Sequence, residues 1–310
     1  MKTNFTRQLF FAALCLSVFF ATPVKLPNAA AAPVATQTAS FSVGDGPEAL
    51  AFDGKNVWVA NQFSNNVTKL RARDGATVGT FAVGRRPVAL VYDGTNIWVA
   101  NHLSNSVSKL RATDGVDLGS FATGEGPGGL VFDGANVWVA NRNSNNVTKL
   151  RASDGVTLGT YAVGTRPIAL ATDGSSVWVT NNKKNTVSRL RVSDGANLGT
   201  FQAGDGPFGI AFDGAFLWVA NFFSKNVMKM TADGMVIGRF AVGDGPSGVI
   251  YAGNYVWVAN TGSNSVSKLA PLDGSVVNTF RVGASPYGVA FDGENIWVAN
   301  ASGDAVSKIT

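Results

Sequence analysis

The sequence is short of the residues on which most enzyme chemistry draws. It holds one histidine, His102, one cysteine, Cys15, and three glutamates, Glu48, Glu125 and Glu294. A single cysteine makes no disulfide within the chain, so stability in an oxidising compartment has to come from packing. Gly-x-Ser-x-Gly, His-Glu-x-x-His, phosphate-loop and Cys/His metal patterns are all missing, which removes the readings those motifs would carry. No stretch sustains a 3.6-residue apolar period, so helical repeats are excluded. The longest apolar run, Leu9–Ala21, has about 13 residues and falls short of the roughly 20 a membrane span needs.

That run has another reading. Lys2 and Arg7 flank it on one side and the small-residue stretch Asn28-Ala29-Ala30-Ala31-Ala32 follows it, the layout of a secretory signal peptide over residues 1–32. The expected destination is secreted or periplasmic. Cys15 lies inside the run behind Leu14, not behind a small residue, which speaks against a lipid anchor. The net charge of +5 falls to +2 once Lys2, Arg7 and Lys25 are removed. A charge that small, without a clustered basic footprint, makes no case for nucleic acid.

What the chain has in quantity is repetition. Its seven tryptophans stand 40 residues apart, except for one 39-residue step between Trp218 and Trp257. Each belongs to a Trp-Val-(Ala/Thr)-Asn run, and an Asp-Gly pair precedes six of them. A fixed period of this size marks a repeated supersecondary unit. The units begin at Phe41, Phe81, Phe121, Tyr161, Phe201, Phe240 and Phe280. Their apolar runs of four to six residues are rich in Val, Phe and Trp and are bounded by Gly, Pro, Asn and Asp, which are strand and turn signals. In the first unit the expected strands are Ala49–Phe52, Asn56–Ala60, Val67–Arg71 and Thr77–Val83. Asp53-Gly54 turns the first into the second, because Gly accepts positive φ and Asp bonds its own backbone. Four strands per unit of about 40 residues predict an all-β, seven-bladed β-propeller over residues 33–310. The seventh unit stops at Thr310 after its third strand, and Gln37–Val43 aligns with a fourth strand. That segment is expected to complete the last blade and remove two open edges.

In such a ring the first strand of each blade is innermost, which brings the blade-to-blade loops and the second-to-third loops to one face. The repeats differ most there. One arc carries Arg85, Arg86, His102, Arg142, Arg166, Lys183 and Lys184; the rest carries Asp205, Asp244, Asp304, Asp45 and Glu48. The basic arc is suited to an anionic ligand or polymer. Phe208, Phe222, Phe223 and Tyr287 add aromatic surface that can anchor a partner or stack on a sugar. The candidate ligand-binding residues are therefore Arg86, Arg142, Arg166, Lys183, Phe208, Phe222, Phe223, Tyr287 and Glu48. His102 and Glu125 form the one pair with the makings of a base and its orienting carboxylate. The recurrent Asn61, Asn101, Asn141, Asn181, Asn221, Asn260 and Asn300 read as a structural ring that satisfies loop backbone groups. On the opposite face the Asp-Gly aspartates sit in separate hairpins and form no metal site. Lys69, Lys109, Lys149, Arg189, Lys229, Lys268 and Lys308 near it read as a solvated or ion-paired ring.

The repeat Gly-x-x-Pro-x-x-(Leu/Ile/Val)-(Ala/Val/Ile)-(Phe/Tyr)-Asp-Gly-x-x-Val-Trp-Val-Ala-Asn-x-x-Ser-Asn-x-Val-Ser-Lys-Leu resembles the YVTN-type and NHL-like bacterial β-propellers. It is also similar to the streptogramin (virginiamycin B) lyase family, over residues 41–310. The YVTN run is here Val57-Trp58-Val59-Ala60-Asn61, and Thr180 keeps the Thr. The first resemblance implies extracytoplasmic binding or surface proteins. The lyase resemblance implies a catalytic histidine late in the chain, with nearby glutamates holding Mg²⁺. The corresponding late loops here read Thr261-Gly262 and Ala301-Ser302, so no catalytic residue carries over. The sequence thus favours an exported, monomeric, non-catalytic binding propeller without a cofactor, engaging a protein, glycan or small molecule through its variable loop face. The alternative is a streptogramin B lyase-like C–O lyase acting with Mg²⁺.

Overall fold

Short runs of Val, Trp and Phe cut by Gly, Asn and Asp suit short strands joined by tight turns. The computed structural model describes residues 34–36 and 39–310, and these form 29 strands and no helix. The expected signal peptide lies outside the described residues. Two strands come first, β1 (Val34–Thr36) and β2 (Ala39–Ser42). The first blade then runs through β3 (Pro47–Phe52), β4 (Asn56–Asn61), β5 (Asn66–Arg71) and β6 (Thr77–Ala82). They pair antiparallel in sequence order, and the pattern recurs to give seven sheets, a seven-bladed β-propeller. The first strands start earlier than the sequence suggested, because Pro47 already pairs with Asn61 across a bulge.

Burial follows position in the blade. β4 is buried along its whole length, while β6 alternates between partly buried and exposed residues. The second strand is covered on both faces by neighbouring blades, which explains its unbroken apolar run. β2 pairs antiparallel with Ala305–Ile309, setting Phe41 opposite Val306. The Phe41 ring lies 5.4 Å from that of Trp297, the same distance as Trp58 to Phe81 within the first blade. The amino-terminal strand therefore completes the seventh blade, as expected, through Ala39–Ser42; Gln37 and Thr38 lie outside the described residues. β1 adds a feature not expected from the sequence, pairing parallel with Val276–Arg281 as a fifth strand of the sixth blade.

Each tryptophan is tied at its edge and covered on its face. Asp53 accepts the Trp58 indole N–H at 2.8 Å and also the main-chain amides of Lys55 and Asn56. Six blades share this Asp–Trp bond. The sixth blade has Ala252 in place of the aspartate, and Trp257 donates to the Ala252 carbonyl at 3.2 Å. Its hairpin turns at Gly253-Asn254, both with positive φ, the geometry of a tight type I′ turn.

The structure corrects the reading of the lysine ring. Lys69 is buried, and its ammonium lies 4.8 Å from the Trp58 ring centroid. It donates to the Ala112 and Thr113 carbonyls of the next blade at 2.6 and 3.1 Å. Lys109, Lys149 and Lys229 repeat the reach into the following blade, Arg189 does so from the fourth, and Lys308 donates to Ala72 across the closing seam. These cations are blade-to-blade ties and not a solvated ring. Cation–π contact is worth more when desolvated, and burial pushes the Lys69 ammonium below its usual value while Asp53 opposes that shift.

The asparagine ring is structural, with its bonds placed differently from the expectation. Asn61 is buried, and its amide donates to the side chains of Asn66 and Thr68 at 2.8 and 2.9 Å. Asn221 does serve a loop amide, accepting the Gly204 N–H at 3.0 Å, but most loop amides bonded across blades are served by another set. Asn65, at φ 54, accepts the Arg86 N–H of the next blade at 2.8 Å. Asn105, Asn145, Asn185 and Asn264 do the same for their neighbours. At the closing seam Asp304 takes this place, accepting the Gly46 N–H at 2.9 Å.

Candidate ligand site at the channel mouth

Two side-chain positions per blade reach the loop-face mouth of the channel. One follows the proline of the first strand and the other follows the buried asparagine of the second. Pro127 pairs with Asn141, so the third blade sets Gly128 beside Arg142. A Cβ at Gly128 would stand 2.1 Å from Arg142 Nε. Glycine there leaves room for the guanidinium to lie across the mouth. Arg142 Nη2 donates to the Gly128 carbonyl at 3.4 Å and sits 3.9 Å from Glu48 of the first blade, the two side chains being only 13% and 10% exposed. Arg142 Nε is buried with no hydrogen-bond partner.

A third position precedes the proline, and there φ is positive in all seven blades. Gly46, Gly126, Gly206 and Gly245 occupy it in four of them, whereas Arg86, Arg166 and Ser285 hold φ of 55°, 58° and 54° in the others. A left-handed backbone costs a residue with a Cβ about 1–2 kcal/mol. Arg86 turns toward the first blade, its Nε 3.3 Å from Gln62 Oε1.

These groups share one electrostatic neighbourhood. Burial pushes the Glu48 carboxyl up, with Arg142 and then Arg86 pulling against it. Burial pushes Arg142 down, Glu48 opposes, and Arg166 and Arg86 add to the lowering. The Tyr287 phenol is raised by burial and by Glu48, against the three arginines. Burial, Arg142 and Arg86 hold His102 below its ordinary value, against the pull of the Pro127 carbonyl. Arg142 and Arg86 thus act on one carboxylate, and Arg166, itself exposed, acts on Arg142.

The other side of the mouth is aromatic. Phe208 meets Tyr287 edge-on at 5.8 Å and Phe222 at 6.3 Å, and Phe222 meets Phe223 at 5.2 Å. Between the two walls lies a cavity of about 190 Å³, lined by Glu48, Gly128, Arg142, Phe208, Ser247 and Tyr287 with the inner strands below them. Those strands crowd together: a Cβ at Gly129 or Gly209 would stand 2.3 Å from the Ile168 or Ser247 carbonyl oxygen. A wider cleft of about 910 Å³ opens between the first two blades on the opposite face, where Lys69 already has its carbonyl partners.

The structure brings Glu48, Arg86, Arg142, Arg166, Phe208, Phe222 and Tyr287 to one mouth. Phe223 caps the aromatic wall at its outer edge, 70% exposed. Lys183 does not join them: it is exposed, and no contact among the described residues ties its side chain to the cluster. No hydrogen bond among the described residues joins His102 to Glu125. The His102 ring is 3.2 Å from the Pro127 carbonyl, while Glu125 is exposed. Sequence reasoning missed the hydroxyls that fix the aromatic wall. Thr180 donates to the Phe208 carbonyl at 2.7 Å, and Thr261 donates to the Pro286 carbonyl at 2.7 Å and to Ser247 Oγ at 2.9 Å. The signal was present at Thr180, where six other blades have Ala.

The family model described as the virginiamycin B lyase family matches residues 26–310. This chain belongs to the virginiamycin B lyase family. Comparison with curated proteins returns no match. Among solved structures, streptogramin B lyase is similar at 20% identity and TM-score 0.76, covering 87% of this chain and 96% of that one. A catalytically inactive His-to-Ala variant of virginiamycin B lyase from Staphylococcus aureus, with quinupristin, is similar at 20% identity and TM-score 0.76, covering 87% and 97%. Hydrazine synthase of Kuenenia stuttgartiensis is similar at 18% identity and TM-score 0.77, covering 85% and 95%. Likeness at such identities speaks to the fold, and the fold serves more than one activity. The Mg²⁺ that the family implies does not fit the mouth of this member. Its one carboxylate already faces a guanidinium, whereas Mg²⁺ takes oxygen ligands, often carboxylates. Among the described residues no cluster of three His, Cys, Asp or Glu is placed to hold an ion.

Proposed function

We propose that this family member is an exported binding propeller that holds a small ligand at the mouth of its central channel without transforming it. One observation carries the reading: the mouth sets the buried Arg142 beside Glu48 and an aromatic wall, while the one histidine bonds to main chain. Such a site can orient and hold a molecule through charge and ring contacts. Among the described residues no hydrogen-bonded histidine–carboxylate pair stands there to take and return a proton. A cavity of about 190 Å³ suits a small molecule better than a protein segment or a glycan chain. Monomeric state and secretion or periplasmic residence belong to the same proposal, the latter resting on the signal-like residues 1–32.

Family membership favours a second reading, a C–O lyase that opens streptogramin B with Mg²⁺. Incubating the purified protein with a streptogramin B and Mg²⁺, and following linearisation by mass spectrometry, separates the two. The binding reading expects no product above the protein-free control. Turnover that disappears in His102→Ala would overturn it.

A further inference from the structure

We propose that the channel mouth recognises a small aromatic carboxylate, its carboxylate held among Arg142, Arg86 and Arg166 and its ring laid against Phe208, Phe222 and Tyr287. This rests on the binding reading above and names the ligand class for it.

The first argument is an acceptor that is missing. A guanidinium offers five donors, yet Arg142 uses one, on the Gly128 carbonyl, and its Nε is buried without a partner. Glu48 stands 3.9 Å away, within reach of attraction but beyond a hydrogen bond. A planar carboxylate entering the mouth supplies the two parallel acceptors that a guanidinium fork prefers.

The second argument is strain that the fold does not require. Arg86 and Arg166 keep a left-handed backbone where four blades use glycine. Their main-chain amides bond to Asn65 and Asn145. Gly126 and Gly206 donate identically to Asn105 and Asn185, so the latch between blades works as well with glycine. The arginine side chains are therefore retained for something other than the latch, and strain kept at a cleft points to function.

Charge and size narrow the ligand. Arg142 and Arg86 act on one carboxylate and Arg166 adds a third positive charge beside Arg142, so the mouth has room for a further negative charge. The aromatic wall presents ring edges and faces at 5.8–6.3 Å between centroids, the arrangement into which another ring packs. A cavity of about 190 Å³ lies below the roughly 300–1,000 Å³ typical of drug-sized ligands, which favours one ring bearing one acid group.

The test is calorimetric titration of the full chain with phenylacetate, benzyl alcohol, phenyl phosphate and inorganic phosphate, in wild type and in Arg86→Gly and Arg166→Gly. Phenylacetate should bind, with benzyl alcohol and inorganic phosphate at least about tenfold weaker. Each glycine variant should weaken phenylacetate by about tenfold while its melting temperature stays level or rises, because the left-handed strain is relieved. A structural role for these arginines would instead lower the melting temperature. The proposal is overturned if phenylacetate does not bind, if Arg86→Gly leaves its affinity unchanged, or if phenyl phosphate or inorganic phosphate binds as tightly. Benzyl alcohol binding as well as phenylacetate would overturn the ligand class and leave the binding reading standing. Streptogramin turnover would overturn that reading whatever phenylacetate does.

Discussion

Trp138 shows how one residue is fixed from several directions. Its indole N–H is accepted by Asp133 at 2.7 Å, Lys149 lies 4.8 Å from its ring centroid, and Tyr161 packs at 5.6 Å. Trp138→Ala should cost about 3–5 kcal/mol, read as a lower midpoint in urea unfolding with the slope unchanged. The aspartates of these pairs also set the acid response. Burial raises the Asp133 carboxyl, but bonds from the Trp138 indole, the Asn136 side chain and nearby amides outweigh it, so the group is held below its usual value. The same balance lowers Asp93, Asp173 and Asp292. A carboxyl depressed in the folded state stabilises it above the unfolded value of about 3.9, and that contribution is lost as pH falls through the folded value. The melting temperature should hold level from pH 7 to about pH 5 and drop as the pH passes below about 4. A melting temperature indifferent to pH down to 2 would contradict this.

Between elements, the ties run from each blade to the next, and the seam between last and first uses the same parts with one exchange. Asp304 replaces asparagine and accepts the Gly46 N–H. Asp304→Ala strands that amide and should cost about 1–3 kcal/mol, measured by thermal unfolding beside Asn105→Ala as an internal-blade control. Deleting residues 37–43 removes β2 and should abolish the single cooperative melt. Much of this scale was legible in the chain. The Val57-Trp58-Val59 run, the Asp53-Gly54 turn and the fourth-strand pattern around Phe41 each announced their place. The ties were not. Lys69 carries a charge, so it read as solvated; the carbonyls that hold it, at Ala112 and Thr113, are distant in sequence. Asn61 and Asn65 look alike on paper, and only burial shows which one serves the loop amides. Arg142 and Glu48 lie in different blades, and nothing local says that one reaches the other. Gly128, the smallest residue at its position in the ring, was the available hint.

At the scale of the molecule, near-identical blades make a symmetric frame, and departures from symmetry collect at one mouth. Family membership supplies the frame. Arg142 sits within the mouth, while exposed Asp45, Asp205, Asp244 and Asp304 share the face with exposed Arg85, Arg166, Lys183 and Lys184. Because exposed charges are screened beyond a Debye length of about 8 Å at physiological salt, an extended anionic polymer should find little net attraction. The protein should pass through a heparin column at about 0.15 M salt. Retention that needs higher salt for release would point to a polymeric partner in place of a small one.

Ala39 and Lys308 face each other in the last blade, so β2 waits for Ala305–Ile309 to be made. A ribosome delivers the intervening blades in order, each able to lean on its predecessor, but the circle stays broken until Ala305–Ile309 has emerged. A chain released early would carry two bare strand edges at its seam, open to proteases and to pairing with other unfinished copies. The seam thus acts as a check on the ring, because only a chain that carries both Ala39–Ser42 and Ala305–Ile309 can shut it.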